Sequence, residues 1–111
     1  MTVVFKTRKL EKTFNSGSLL ERTYGKSRAR AIMMRLAVLA NAPTLAAVPH
    51  TPPERRHQLT GDREGQYAVD LDDRARLILA PNHDPVPLLD DGGIDIQRVT
   101  AITIMEVVDY H

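Results

Sequence analysis

Cysteine and tryptophan are both missing from this 111-residue sequence, and its aromatic residues are limited to three Tyr and two Phe. Without cysteine there is no disulfide framework, no thiolate zinc site and no cysteine nucleophile. No apolar run approaches the roughly 20 residues that a membrane span requires. The N-terminus also lacks the basic, then apolar, then small-residue order of a signal peptide. The expectation is a soluble, cytoplasmic protein with no membrane partner. A chain of this length buries a modest core without metal or disulfide staples, so residues 1–111 are expected to form one domain. No internal repeat or low-complexity segment interrupts it.

Net charge is only +1, yet the charges are unevenly distributed. Through Arg63 there are 12 Lys/Arg against 4 Asp/Glu, and beyond it 3 against 10. Such asymmetry suits a polyanion on one side and a basic partner on the other, although basic residues also serve simply to solvate helices.

Residues 2–5 are β-branched and aromatic and predict a first strand. Residues 6–14 place Leu10 and Phe14 four apart among basic residues, the pattern of a short amphipathic helix. Ser18-Leu19-Leu20-Glu21 fits a capping box. It opens either one kinked helix or two successive ones, with Gly25 as the dividing point. Over residues 26–40, Ala29, Ile32, Met33, Leu36, Leu39 and Ala40 recur at helical spacing, while Lys26, Arg28, Arg30 and Arg35 lie largely outside that stripe. Met33 and Met34 are therefore expected as core filler. Asn41 and Pro43 end this helix.

After an irregular Pro49-His50-Thr51-Pro52-Pro53 connection, the run from His57 to Leu79 alternates apolar and polar residues with period two around Asp72-Asp73-Arg74. This predicts a β-hairpin, with Tyr67, Val69 and Leu71 on one face and Ala68 and Asp70 on the other. Residues 81–93, rich in Pro, Gly and Asp, read as a long surface loop. Residues 99–108 close the pattern as a strand apolar on both faces, with Ala101, Met105 and Val107 opposed to Ile102, Ile104 and Val108. It is therefore expected at the centre of the sheet. The fold class is α+β, with two N-terminal helices packed on an antiparallel sheet in the order β-α-α-β-β-β.

Polar residues that carry chemistry gather around this hairpin and the last strand. His57 and His111 each bring an imidazole, a group able to give or take a proton. Arg55, Arg56, Arg63 and Arg76 present planar donor forks suited to phosphate. Tyr110 offers a ring on which an unstacked base rests. With Asp109, these are the parts needed to cut RNA by its own 2′-hydroxyl. Each also has a plainer role: His57 as a loop fastener, Arg63 and Arg76 as surface partners of Asp62, Asp72 or Asp73, contacts worth little. His50, His57, His83 and the Asp90-Asp91 pair match no recognisable metal-ligand spacing, so neither a metal nor another cofactor is expected.

The pattern His57-x-Leu59-x-Gly61, Arg63-x-Gly65-x-Tyr67-Ala68-Val69, Arg76-Leu77-Ile78-Leu79 and a terminal Asp109-Tyr110-His111 resembles the RelE/ParE superfamily, specifically killer proteins of the HigB plasmid-maintenance type. Phe5-Lys6-Thr7-Arg8-Lys9-Leu10-x-Lys12-x-Phe14 and Tyr24-Gly25 fit the same group, so the similarity covers nearly the whole chain. It implies a RelE-like fold and the toxin of a type II toxin-antitoxin system: a metal-independent endoribonuclease that cleaves mRNA on the ribosome. A helix-turn-helix antitoxin is the implied partner, and the chain is implied to be a monomer or part of a toxin-antitoxin hetero-oligomer. By similarity His57, Asp109, Tyr110 and His111 are the catalytic group, with His111 or Asp109 handling the 2′-hydroxyl proton and His57 with Tyr110 orienting the nucleotide. Arg63 and Arg76, flanked by Arg55 and Arg56, hold the phosphate. Two departures stand out. Thr60 replaces a lysine present in some relatives, and residues 81–98 form an insertion.

Two other readings compete with the nuclease. A ParE-like contact inhibitor uses the same scaffold without catalysis, and a degenerate toxin survives as an antitoxin-binding module. Two imidazoles and the Asp-Tyr-His terminus favour the nuclease, since a pure binding surface needs neither. The sequence carries no helix-turn-helix pattern of its own, which places it on the toxin side.

Overall fold

The computed structural model of the chain describes residues 1–109, so Tyr110 and His111 lie outside the described residues. Strand β1 (Thr2–Phe5) leads into three helices, α1 (Arg8–Phe14), α2 (Gly17–Tyr24) and α3 (Lys26–Asn41). Each start has a local cause. The Thr7 hydroxyl accepts the Leu10 N–H at 3.1 Å and caps α1. Ser16 does the same for Leu19 at 3.2 Å, so α2 begins before the Ser18 box that the sequence suggests. Gly25, at φ +87°, separates α2 from α3 in a conformation that a side chain would strain, which makes the kinked alternative two helices.

Four further strands complete the chain: β2 (His57–Gln58), β3 (Tyr67–Asp70), β4 (Ala75–Pro81) and β5 (Ala101–Asp109). They form one sheet in the order β1-β5-β4-β3-β2, and β5 is internal as expected. The hairpin is confirmed, with Tyr67 opposite Leu79 and Asp70 opposite Arg76. Its turn is tied by Asp72, whose Oδ1 accepts the backbone N–H groups of Arg74 and Ala75 at 2.8 and 2.7 Å. The sheet is mixed rather than wholly antiparallel, because β1 pairs β5 in parallel from Thr2 opposite Ala101 to Phe5 opposite Ile104. Three helices stand where two were expected, and the architecture is otherwise the anticipated α+β one.

The core lies between the helices and one sheet face. Ile32 and Leu39 of α3 meet Val69, Leu77, Leu79, Ile102 and Ile104 there, all fully buried. Each such side chain contributes about 1.5–3 kcal/mol relative to exposure. The helix face differs from the expected one at four positions, the first being Ala40, which is exposed. Met33 and Met34 are 56% and 55% exposed, so neither fills the core, and Arg35 is 7% exposed. The Arg35 Nε donates to the Asp70 carbonyl oxygen at 2.7 Å, which satisfies the buried guanidinium with backbone from β3.

A β-bulge in β5 decides which side chains face which side. Ile78 opposes Glu106 while Leu79 opposes Ile104, leaving Met105 as the extra residue. It moves Val107 onto the core face with Ile102 and Ile104, against the simple alternation expected, and turns Glu106 away from the helices.

Residues 81–98 are an ordered excursion rather than an unstructured loop. Leu88 bridges Ile94. The His83 Nε2 accepts backbone N–H groups from Thr100 and Ala101 at 3.0 and 3.3 Å, which fastens the excursion to the start of β5.

Candidate active site

The outer sheet face, away from the helices, collects the polar residues. Residues directly opposite on paired antiparallel strands project to the same side. His57, Ala68, Ile78 and Glu106 form one such row across four strands, and Asp70, Arg76 and Val108 the next. Within these rows the cations are held by carboxylates. Arg63 donates from Nη2 to the Glu106 Oε2 at 3.2 Å and from Nη1 to the Gln66 Oε1 at 3.2 Å. Asp70 lies between two arginines, its Oδ2 2.7 Å from the Arg55 Nε and its Oδ1 3.6 Å from the Arg76 Nε. Three arginines, Arg55, Arg63 and Arg76, thus meet Asp70 and Glu106 on this face, with Arg56 at the sheet edge.

At the β2 edge, His50, Arg55, Arg56 and His57 line an open hollow of about 260 Å³. The chain reaches this shape through Arg55, whose φ of +45° is left-handed and unusual for a residue with a side chain. This conformation is fastened from several directions. The Arg55 N–H donates to the Thr51 carbonyl at 2.9 Å, and Asp70 N–H to the Glu54 carbonyl at 2.8 Å. The Arg55 carbonyl in turn accepts the Nδ1–H of His57 at 2.7 Å. Because a carbonyl can only accept, the proton is on Nδ1, and in the neutral ring Nε2 carries the lone pair. Arg56 is positioned by donation from Nε to the Val48 carbonyl at 2.9 Å. Burial raises the Tyr67 hydroxyl pKa, an effect that the nearby Arg56 charge opposes.

Of the site residues expected from sequence, the structure brings together His57, Arg55 and Arg56 at the hollow, with Arg63 and Arg76 on the adjoining sheet face. Asp109 is placed apart from them. It pairs with Ala75 on the helix side of the sheet, and its Oδ2 accepts from the Arg28 Nη1 at 3.0 Å. The same guanidinium donates from Nε to the Asp72 Oδ2 at 2.9 Å, so Arg28 of α3 clamps the hairpin turn and the end of β5 together. Burial alone would raise the Asp72 pKa, but hydrogen bonds from Arg28 and the Arg74 and Ala75 N–H groups outweigh it and hold it below the usual carboxylate range. Tyr110 and His111 lie outside the described residues. Thr60 precedes the short turn Gly61–Arg63 that delivers Arg63.

Three residues of this face carry no site assignment from sequence. His50 stands out there only as a possible metal ligand, Asp70 only as a strand residue and Glu106 not at all. The period-two pattern does carry a signal for Asp70, an acid in phase with buried Ala68. Among the described residues no three His, Asp or Glu side chains converge as a metal-binding group.

Comparison with known proteins places this architecture. No protein-family model and no curated protein sequence matches the chain. Solved structures do: the YoeB-YefM complex from Staphylococcus aureus aligns over 100% of this chain and 97% of its own, at TM-score 0.54 and 13% identity. A YoeB/ParE toxin from Agrobacterium tumefaciens aligns over 100% of both chains, at TM-score 0.54 and 14% identity. The chain thus shares the fold of these two structures, in keeping with the fold that its sequence resemblance implied.

Proposed function

We propose that this chain is the toxin of a toxin-antitoxin pair, of HigB-like type, and that it is a metal-independent endoribonuclease cutting mRNA on the ribosome. The fold shared with a YoeB/ParE toxin and with a YoeB-YefM complex supports the toxin class and an antitoxin partner. The observation that carries the nuclease reading is the His57 imidazole. Its Nδ1–H is spent on the Arg55 carbonyl, and it borders a hollow shared with two guanidinium groups. A pure contact surface has no use for an imidazole held in one tautomer beside a cluster of cations.

The chemistry is built from those parts. A base removes the 2′-hydroxyl proton, O2′ bonds to phosphorus, the bond from phosphorus to O5′ breaks, and an acid protonates O5′. The products are a 2′,3′-cyclic phosphate and a 5′-hydroxyl. Arg63 and Arg76, with Arg55 and Arg56 alongside, bind the phosphate and the charge that grows on it. His57 serves as one proton carrier and His111, by family resemblance, as the other, with Tyr110 stacking on the base. Asp109, paired with Arg28, acts on the site by anchoring the end of β5 rather than by touching RNA.

Induced expression in a bacterial host, with primer extension on an abundant mRNA, tests the proposal. Growth arrest with new translation-dependent 5′ ends, absent for His57→Ala and relieved by a helix-turn-helix partner, is the expected result. Arrest with intact mRNA would replace the nuclease by the contact inhibitor, and no arrest would leave the degenerate antitoxin-binding module.

A further inference from the structure

Asp70 is the unexpected member of the cationic face. It is an acid at the centre of a surface otherwise suited to phosphate, and its Oδ1 is buried with no hydrogen-bond partner among the described residues. Buried carboxylate oxygens are ordinarily hydrogen-bonded, so one left without a bond calls for an explanation. The Arg76 Nε lies 3.6 Å from that oxygen, beyond hydrogen-bond length. The other oxygen forms an ion pair with the Arg55 Nε at 2.7 Å, and Arg55 itself has a left-handed backbone. Local strain of this kind concentrates at functional sites.

The packing shows why Asp70 stays in place. Its backbone is held from both sides: its N–H donates to the Glu54 carbonyl at 2.8 Å and its carbonyl accepts from the Arg35 Nε at 2.7 Å. The strand position from which the carboxylate projects toward the two guanidinium groups is therefore fixed. Those groups are the more exposed partners, with side chains 50% exposed for Arg55 and 35% for Arg76 against 20% for Asp70. Ion pairs exposed to this degree are weak and exchange partners readily.

We propose that Asp70 is a built-in counter-anion of the phosphate site: in the RNA-free protein it neutralises Arg55 and Arg76, and the RNA phosphate competes with it for those same guanidinium groups. This rests on the RNA-cleaving function proposed for the chain and adds a residue to it. Asp70 acts through the two cations, competing with RNA for them and weakening their hold on it, which favours release over tight retention of the product. A carboxylate with a merely structural role would instead make RNA binding weaker on removal, as the cations lost their alignment.

The test is binding of a short 2′-O-methyl single-stranded RNA, which cannot be cleaved, by the wild type and by Asp70→Asn, across a series of salt concentrations. The variant is expected to bind roughly three- to tenfold tighter, the scale of a partly exposed ion pair. The salt dependence is expected to steepen by about 0.7 in the log-log slope, the value for one further phosphate contact on a single strand. Most of the gain should vanish when Arg76→Gln is added, which a general loosening of the fold would not produce. Should Asp70→Asn fail to fold, Asp70→Ser serves the same comparison. Equal or weaker binding by a folded variant, against wild-type binding that falls with salt, overturns the inference and leaves the RNA reading intact. If neither protein binds the RNA, the RNA reading falls and the inference with it.

Discussion

Arg35 in helix α3 donates from Nε to the backbone carbonyl of Asp70 in strand β3 at 2.7 Å, although its side chain is almost wholly buried. One guanidinium thus joins the helical layer to the strand that carries the polar face. Replacing Arg35 by Met keeps much of the volume and leaves the Asp70 carbonyl without its charged donor, a loss of about 1–3 kcal/mol. The urea midpoint of Arg35→Met should fall accordingly, and an unchanged midpoint would mean that the bond contributes nothing to the fold.

The face of α3 makes a paired prediction. Ile32 is fully buried and Met33 is 56% exposed. Ile32→Ala should cost about 2–5 kcal/mol, as expected for a truncated core side chain. Met33→Ala should stay within about 0.5 kcal/mol of wild type, the usual range at surface positions. Reversal of that order in thermal melts would show that the other face of the helix packs on the sheet.

The same helix shows how much of the fold is legible in the sequence. Ala29, Ile32 and Leu39 announce the buried stripe by their spacing, but Arg35 lies three residues from Ile32 and four from Leu39, within the stripe itself. Its charge hides it, because the group that satisfies it is a carbonyl 35 residues away on a strand, invisible to local periodicity. Met33 and Met34 mislead for the opposite reason, being apolar on the solvent side. The 67–79 hairpin is legible because period two and an acidic turn are local signals. The parallel pairing of β1 with β5 is not, since partners that far apart leave no mark on either strand. At the site, His57 and the arginines stand out by residue type. The left-handed Arg55 that assembles them does not, because nothing in Glu54-Arg55-Arg56 resembles the Gly or Asn that usually adopts that conformation. Met105 as a bulge residue is equally hidden, and with it the turning of Asp109 to the helix side.

Asp72 supplies a pH dependence. Its carboxyl is held below the usual carboxylate range, with burial outweighed by the hydrogen bonds from Arg28 and the Arg74 and Ala75 N–H groups. The unfolded chain, with an ordinary value of about 3.9, therefore takes up the proton first as the pH falls. The stability from this site is fully present above about pH 4 and is lost as the pH drops through the lower folded value. The pair is partly exposed, so its size is at most about 1 kcal/mol. Denaturant midpoints for wild type and Asp72→Asn should differ near neutral pH and draw together as the pH falls below the ordinary carboxylate value. A gap that persists unchanged in acid would show that the charge is not the cause.

His57→Gln separates position from proton transfer. An amide side chain can still donate to the Arg55 carbonyl but does not titrate near neutral pH. RNA cleavage should fall by roughly 10²- to 10⁴-fold, the range of a lost general acid or base, while the melting temperature stays close to wild type. A variant that cleaves normally would reduce His57 to a loop fastener.

The most direct measurement is the chemistry of the cut end. Purified protein is incubated with ribosomes carrying a defined mRNA, and the upstream fragment is analysed by mass. A 2′,3′-cyclic phosphate, or the 3′-phosphate that its hydrolysis leaves, formed by the wild type and not by His57→Ala, is the result predicted for attack by the RNA's own 2′-hydroxyl across this cationic face. Intact mRNA under conditions that stop translation, or a 3′-hydroxyl end, would contradict it.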